Sequence, residues 1–288
     1  MRRSLPIRGL LISVTVAWLL LVLALPFAYV FSQAFAGGFA VFRDALAQPE
    51  ALAAVRLSAI ATTVALVANL VFGVAAGWAL ARTRFPGRSL VLVLLDLPIA
   101  VSPVVAGLMF VLLFGRQGWF GPWLEAVGVK VVFALPGILI ATTFVTLPFI
   151  AREVLTVLEE TGTAEEEAAL TLGASRTQMF VHIVLPAIRW ALFYGVVLTA
   201  ARALGEFGAV SVVSGNIAGQ TQTLPLHIEA AYIDYDVIGA FASAVPLTVM
   251  AALTILAQKV VAALSSRERG ARVAEVSPTE GAPGWTSV

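Results

Sequence analysis

The chain has 288 residues, of which 60% are hydrophobic and 12% charged, with a net charge of +1 and a mean hydropathy of +0.95. Soluble domains are about 45–50% apolar and about 25% charged, so this composition excludes a soluble globular protein. The nearly neutral charge gives no indication of nucleic-acid binding. The absence of cysteine excludes disulfides and thiolate metal sites, and the two histidines, His182 and His227, lie far apart in the sequence.

Six stretches are long and apolar enough to cross a bilayer, which requires about 20 residues each. They are predicted at 10–35, 57–81, 90–114, 131–151, 190–213 and 237–258. Because the apolar runs are continuous and do not alternate with a period of two, they indicate helices and not barrel strands. The first run is longer than the apolar core of a secretory signal and is predicted to be retained. The sequence therefore predicts an all-α integral membrane protein with six transmembrane helices.

Basic residues predict the orientation of these spans, because cytoplasmic loops are enriched in lysine and arginine. With six spans, four basic groups fall on one side: Arg2, Arg3 and Arg8; Arg82, Arg84 and Arg88; Arg152, Arg176 and Arg189; Lys259, Arg267, Arg269 and Arg272. The opposite side has Arg43, Arg56, Arg116 and Lys130. Both termini are therefore predicted to be cytoplasmic. Residues 1–264 are predicted to form the membrane domain, and the polar segment 265–288 a disordered cytoplasmic tail.

The loop between spans four and five, residues 159–186, has a pattern typical of two short helices. Its acidic residues suit the first turn of a helix, where the helix dipole favours negative charge. Gly173 is expected to end the first helix in a left-handed conformation. Ser175 is expected to cap a second helix over 176–184, which Pro186 would end. The pattern predicts a helix-turn-helix on the cytoplasmic face.

The 159–186 loop resembles the signature loop of ABC importer permeases. Every fixed position of that signature is present, at Glu167, Ala168, Ala169, Gly173, Ile183, Leu185 and Pro186. The resemblance implies the type I importer permease fold, with this loop forming coupling helices that dock on an ATPase subunit. A plain amphipathic surface helix is the alternative interpretation. The two lysines, Lys130 and Lys259, follow Val129 and Gln258 and so form no P-loop. The chain is thus expected to be no enzyme and to carry no cofactor, with ATP and Mg²⁺ bound by the partner ATPase.

Several further stretches together resemble the sulfate/thiosulfate importer permeases, and specifically the W-type member of their permease pair. These stretches are 95–107, 143–149, 189–192, 201–215 and 223–226, within a resemblance that covers about residues 10–262. It implies a second, related permease subunit, a periplasmic sulfate-binding protein and a place in the bacterial inner membrane. Molybdate and tungstate permeases share the 202–208 stretch, whereas 211–215 favours sulfate. A molybdate or tungstate permease is one alternative, and an ATP-independent channel or secondary transporter is another.

Seven positions are candidates for the translocation path or its gate: Asp96, Ser102, Pro103, Arg202, Glu206, Ser211 and Ser214. Arg202 and Glu206 are spaced to share one helix face, and ionisable groups within a span normally face protein or water. The pair either fixes helix packing or presents Arg202 to an anion. The serines could donate to the anion or allow close packing. Asp96 is expected either to pair with an arginine across the subunit interface or to lie near the inner membrane surface.

Breaks and close contacts between helices are also predicted from proline and glycine. Pro98 and Pro103 each interrupt the hydrogen-bond ladder of span three. Gly73 and Gly77 form a Gly-x-x-x-Gly pair in span two, which predicts close helix contact within or between subunits.

Overall fold

The computed structural model describes residues 5–276, and within this range it contains helices and no strand. Five helical segments are long and apolar enough to span a membrane: Arg8–Ala34, Pro49–Arg82, Leu135–Thr161, Arg176–Leu204 and Val237–Leu264. A sixth crossing comes from a pair of helices bent by 109°. The predicted all-α membrane fold is confirmed, with six crossings when the bent pair is counted as one.

The first span is a single rod made of α1 (Leu5–Leu19), a π-helical turn (Leu20–Ala24) and α2 (Leu25–Ala34). It confirms the predicted span at 10–35. A proline is the second residue of α2. Since proline lacks an N–H and its ring displaces the carbonyl four residues earlier, the wider π turn accommodates it without a break. The short helix α3 (Phe39–Leu46) follows.

Helix α4 (Pro49–Arg82) contains 34 residues and is roughly 51 Å long. It includes the whole of the predicted span 57–81 but begins eight residues earlier. Proline suits the first turn of a helix, because its missing N–H would have no partner there. Helix α4 therefore extends beyond the hydrocarbon layer and reaches elements at both ends of the bundle.

The predicted span at 90–114 is a broken crossing, in which α5 (Arg88–Ala100) and α6 (Pro103–Phe114) meet at 109°, so the predicted interruption at Pro103 is confirmed. The ring of Pro103 disfavours helical geometry at the residue before it, and Ser102 is accordingly extended, with φ −56° and ψ 132°. Pro98, in contrast, lies inside α5 without ending it.

Contacts along the next long helix show that the bent pair is one broken crossing. Helix α7 (Gly121–Ala126) precedes α8 (Leu135–Thr161). At the start of the pair, Arg88 bonds to Glu159, near the end of α8. Further along the pair, Phe110 packs edge-on against Phe144, ten residues into α8. The pair thus progresses along α8 and does not return to the end where it began.

Helix α8 lies at the centre of the helix bundle. The predicted span at 131–151 overlaps it, but α8 begins four residues later and continues ten residues further. In its most apolar stretch 56% of the residues are buried, against none in that of the first span. Among the described residues, all three hydrophobic clusters include α8 residues: Ile138, Ala141 and Val145; Ile150, Val154 and Leu158; Ala151 and Leu155.

The Gly-x-x-x-Gly pair of α4 packs directly on α8. A Cβ atom at Gly73 would lie 2.9 Å from the backbone nitrogen of Ala151, and one at Gly77 would lie 2.9 Å from the carbonyl oxygen of Ala151. These distances leave no room for a side chain. The predicted close contact is confirmed, and it lies within the subunit.

The fifth span differs from the prediction at both ends. After α9 (Ala164–Thr171), the chain forms α10 (Arg176–Met179), a π-helical turn (Phe180–Val184) and α11 (Leu185–Leu204) as one continuous helical segment. The short helix α12 (Gly208–Val213) is separate. The predicted span 190–213 is therefore wrong, because it starts within α11 and runs through a break at Gly205.

The last two helices are α13 (Leu224–Ile233) and α14 (Val237–Val276). The predicted sixth span, 237–258, begins at the same residue as α14, but the helix continues far beyond it. Residues 265–276 of the predicted disordered tail are therefore helical. The remainder of that prediction, 277–288, lies outside the described residues.

Candidate functional site

The 159–186 loop forms a helix-turn-helix at one end of the bundle, here called the Arg82 end after the last residue of α4. Glu159 and Glu160 belong to the last turn of α8, so the non-helical turn begins at Gly162, whose φ is +68°. The remaining acidic residues, Glu165, Glu166 and Glu167, occupy the first turn of α9, as predicted. There their charge is favourable beside the unpaired N–H groups of the helix.

Gly173 ends α9 in the predicted left-handed conformation, with φ +90°. Its N–H donates to the carbonyl of Leu170 at 3.1 Å, and that of Ala174 donates to Ala169 at 3.0 Å. This pair of bonds is the Schellman motif, which satisfies the last carbonyls of a helix.

Ser175 caps α10 through a reciprocal pair of bonds with Gln178. Its Oγ accepts from the Gln178 N–H at 3.3 Å, and its own N–H donates to Gln178 Oε1 at 2.9 Å. The predicted cap is confirmed.

The predicted end of the second helix at Pro186 is wrong. Ile183 lies in the π turn, and Leu185 and Pro186 begin α11. The wider π turn accommodates the proline ring, as the π turn before α2 does, and the helix therefore continues into the fifth span. The signature residues Ile183, Leu185 and Pro186 therefore mark the junction between the loop and the membrane helix.

Arg82 fastens the loop to α4. Its Nε donates to Glu166 Oε1 at 2.8 Å, while Nη1 donates to the Leu158 carbonyl and Nη2 to the Gly162 carbonyl, both at 2.7 Å. The Arg82 and Glu166 side chains are only 12% and 11% exposed. The sequence did not predict this role, because the partner Glu166 lies 84 residues from Arg82.

Other residues of the loop point away from the bundle. Glu167 is exposed, and its carboxylate accepts from Thr163 Oγ at 2.7 Å. Ala168 is exposed as well, Ala169 is half-buried, and Leu172 is 89% exposed. Leu172 is thus the most exposed large hydrophobic side chain of the 159–186 loop.

The polar pair of the fifth span lies where that span ends. Arg202 is in the last turn of α11, and its Nη1 lies 2.5 Å from Glu206 Oε2. Glu206 follows the helix and is buried, whereas the Arg202 side chain is 32% exposed. Glu206 Oε1 also accepts from the Ala209 N–H of α12 at 2.8 Å. The predicted pair is present, but it joins two helices and does not lie along one face.

The two helix breaks lie against each other. A Cβ atom at Gly208 would be 2.9 Å from Cβ of Pro103, and one at Gly107 would be 2.7 Å from the carbonyl oxygen of Ala209. Helices α6 and α12 thus cross with their backbones in contact. Pro103 and the adjoining Ser102 are thereby brought to the part of the chain that carries Glu206.

The serines within and directly after α12 bond locally. Ser211 Oγ donates to the Gly208 carbonyl at 2.9 Å. Ser214 is fully buried, and its Oγ accepts from the Asn216 N–H at 3.1 Å. Ser102 caps α6 without a side-chain bond.

Asp96 does not join this group. Its Oδ1 accepts from Arg152 Nε at 2.6 Å, and the two residues form an ion pair between α5 and α8. The expectation of an arginine across the subunit interface is wrong, since the partner belongs to the same chain. Arg152 and Asp96 lie closer to the Arg82 end than the helix breaks do.

A buried polar cluster at the opposite end was not predicted. The Leu224 N–H donates to Ser58 Oγ at 2.8 Å, and His227 Nδ1 lies 3.2 Å from Gln222 Oε1. Burial lowers the pKa of His227, although the carboxylates of Glu50 and Asp236 act in the opposite direction. Ser58 ties α4 to α13 at this end.

This fold, with its helix-turn-helix between the fourth and fifth crossings, is that of a multi-pass membrane permease subunit. A family model described as "Binding-protein-dependent transport system inner membrane component" matches residues 69–270. The chain belongs to this family of ABC importer permeases.

Relatives with assigned names are similar over most of the chain. The sulfate transport system permease protein CysW of Synechocystis sp. is 48% identical, covering 90% of this chain and 94% of the relative. The protein CysW of Escherichia coli (strain K12) is 49% identical, covering 86% and 83%. The protein CysT of the same bacterium is 39% identical, covering 85% and 89%.

A solved structure shares the fold. It is the crystal structure of a bacterial alginate ABC transporter in complex with an alginate pentasaccharide-bound periplasmic protein. A chain of that transporter aligns with a TM-score of 0.72 over 92% of this chain and 96% of its own length, at 18% identity.

Proposed function

We propose that the chain is the W-type permease subunit of an ABC importer that moves sulfate or thiosulfate into the cytoplasm. The observation that carries this proposal is the difference in identity to the two kinds of sulfate permease. The chain is 48–49% identical to CysW proteins and 34–40% identical to CysT proteins, over similar lengths. The relation to both kinds supports a transporter with two different permease subunits.

The proposed partners are a second, related permease subunit, a periplasmic sulfate-binding protein and ABC ATPase subunits that bind ATP and Mg²⁺. Support for the ATPase comes from the exposed surface of the 159–186 loop. Glu167 and Leu172 project from a helix-turn-helix whose remaining residues are fixed by caps and by Arg82. A rigid element with an exposed apolar tip suits docking, because it loses little conformational entropy when it binds a partner.

The proposed orientation places the Arg82 end, and with it both termini, in the cytoplasm. Three of the arginines used for this prediction, Arg82, Arg88 and Arg152, make ion pairs with acidic residues of the same end of the bundle. They therefore lie together at one end of the bundle, which supports the orientation because cytoplasmic loops are enriched in arginine.

For the translocation path we propose the zone where α6 and α12 cross. The partly exposed Arg202 supplies a positive charge, and the buried Glu206 holds it in place. The breaks at Ser102 and Gly205 let the half-helices on either side move as separate bodies when the subunits rock between inward-facing and outward-facing states.

Uptake of radiolabelled sulfate into membrane vesicles that contain the assembled transporter tests the substrate. We expect unlabelled sulfate and thiosulfate to compete with uptake and molybdate to compete only weakly. Competition by molybdate as strong as that by sulfate would instead indicate a molybdate permease. Failure of any ATPase subunit to co-purify with the chain would favour a channel or secondary transporter.

A further inference from the structure

Helix α4 contacts functional elements at both of its ends. At its last residue, Arg82 bonds to the 159–186 loop. Twenty-four residues earlier, roughly 36 Å away along the helix, the buried Ser58 accepts from the first N–H of α13. Between these points the helix is uninterrupted and packs closely on α8 through Gly73 and Gly77. A displacement of the loop that reaches Arg82 is therefore delivered to the opposite end by one rigid element.

Arg82 is suited to transmit such a displacement because its guanidinium holds two parts of the loop and the end of α8 at once. It bonds to the Glu166 carboxylate in α9, to the last turn of α8 through the Leu158 carbonyl, and to the Gly162 carbonyl in the turn between them. The planar fork of arginine fixes direction as well as distance. Nearly complete burial of both side chains keeps water from competing.

We propose that Arg82, with Glu166, is the positioning pair that couples the docking helix α9 to helix α4. Because Leu57 and Ala61 of α4 share a buried cluster with Val210 of α12, ATP-driven movement of α9 would then reach the translocation path. This role rests on the proposed function. The proposal gives two neighbouring glutamates different roles. Glu167 is exposed and faces the ATPase, whereas Glu166 faces inward and holds the loop to the bundle.

A matched control is available at the same end. Arg88 also pairs with a glutamate, with Nη2 2.6 Å from Glu159 Oε1, and it also bonds to a carbonyl, that of Leu80. Its bonds reach α8 and α4 but not α9. Arg88→Gln therefore removes an ion pair at the same end, a more exposed one, without touching the docking helix.

The test uses the complete transporter in proteoliposomes, with sulfate uptake and ATP hydrolysis measured in the same samples. The readout is the number of ATP molecules hydrolysed per sulfate transported. A purely structural role would lower uptake and hydrolysis together, in proportion to the amount of assembled complex. We expect Arg82→Gln and Glu166→Gln each to raise the ratio at least about fivefold, within the usual range of coupling between sites. The double variant should be no worse than either single one, and Arg88→Gln should match the wild type.

The variant Arg82→Lys distinguishes a loss of coupling from a folding defect. Lysine keeps a charge beside Glu166 but cannot hold all three acceptors in the arginine geometry. We expect this variant to assemble fully and to need more ATP per sulfate than the wild type. A wild-type ratio in assembled Arg82→Lys and Glu166→Gln transporters would overturn the proposal. Absence of ATP-dependent sulfate uptake by the wild type would instead count against the proposed function.

Discussion

The Glu206 carboxylate binds Arg202 through one oxygen, at 2.5 Å from Nη1, and the Ala209 N–H through the other, at 2.8 Å. A single buried side chain thus joins the end of α11 to the start of α12. The Arg202 side chain is 32% exposed, and it is this charge that the proposed function assigns to the anion.

Removing one partner of this pair should destabilise the protein. Arg202→Met leaves a buried carboxylate without its counter-ion, and we expect a loss of roughly 2–3 kcal/mol, at the lower end for buried pairs because Arg202 is partly exposed. The measurement is thermal unfolding of the purified chain in detergent. Arg116→Met is the control, since the Arg116–Glu125 pair is exposed and should contribute less than about 1 kcal/mol.

The double variant Arg202→Met/Glu206→Gln distinguishes a role of the ion pair in helix packing from a role in transport. A glutamine at 206 can still accept from the Ala209 N–H and needs no counter-ion, so we expect much of the thermal stability to return. Sulfate uptake should stay low, because the positive charge is absent. Wild-type uptake by the double variant would show that the pair serves helix packing alone.

Gly77 is predicted to tolerate no side chain. The Cβ of Gly77→Ala would meet the Ala151 carbonyl oxygen at 2.9 Å, and backbone cannot move aside as a flexible side chain can. We expect a loss of about 1–3 kcal/mol from overpacking, measured by thermal unfolding. Gly9→Ala is the control, because Gly9 is also in an apolar helix but has no atom within 4 Å of the added Cβ. Equal melting temperatures for the two variants would contradict the close contact of α4 with α8.

Charge reversal at Glu167 should affect assembly without affecting folding. Glu167 is exposed and its carboxylate accepts from the Thr163 hydroxyl, so Glu167→Lys should change the melting temperature of the isolated chain little. We expect the yield of co-purified ATPase to fall several-fold, because a charge that faces the partner changes sign. Glu229→Lys, at an exposed position on the opposite end, should leave that yield unchanged. An undiminished yield with Glu167→Lys would contradict the docking assignment.

His227 should make stability depend on pH. Because burial lowers its pKa in the folded state, the unfolded chain binds the proton first as the pH falls below the ordinary value of 6.5. Stability is therefore complete above that value and decreases as the pH falls towards the folded-state pKa. We expect the melting temperature to drop more between pH 7.5 and 5.5 in the wild type than in His227→Gln. An equal or smaller drop in the wild type would contradict this assignment.

The sequence predicted the local features well because they depend on neighbouring residues. Gly173 and Ser175 follow from the backbone conformations and hydrogen bonds that their residue types favour, and the structure has both. The ends of the spans were less predictable. Hydropathy detects only the apolar part of a helix, and α4 and α8 both continue beyond that part. Proline was ambiguous for a physical reason. Pro103 forces a break, whereas Pro186 is absorbed by a π turn.

Pairs distant in sequence were beyond local reasoning. Arg82 and Glu166 are 84 residues apart, and Arg152 and Asp96 are 56 apart. Each was visible as a charge next to an apolar run, but the partner depends on how α4, α5 and α8 pack together. The same limit applies to the crossing of α6 and α12, where Pro103 meets Gly208.

The most direct test of the account is sulfate accumulation by the reconstituted transporter: this chain, its partner permease and the ATPase subunits in proteoliposomes, with the sulfate-binding protein on the outside. We predict uptake of radiolabelled sulfate that requires both ATP inside the vesicles and the binding protein. Uptake that continues without ATP, or that is absent with every component present, would contradict it.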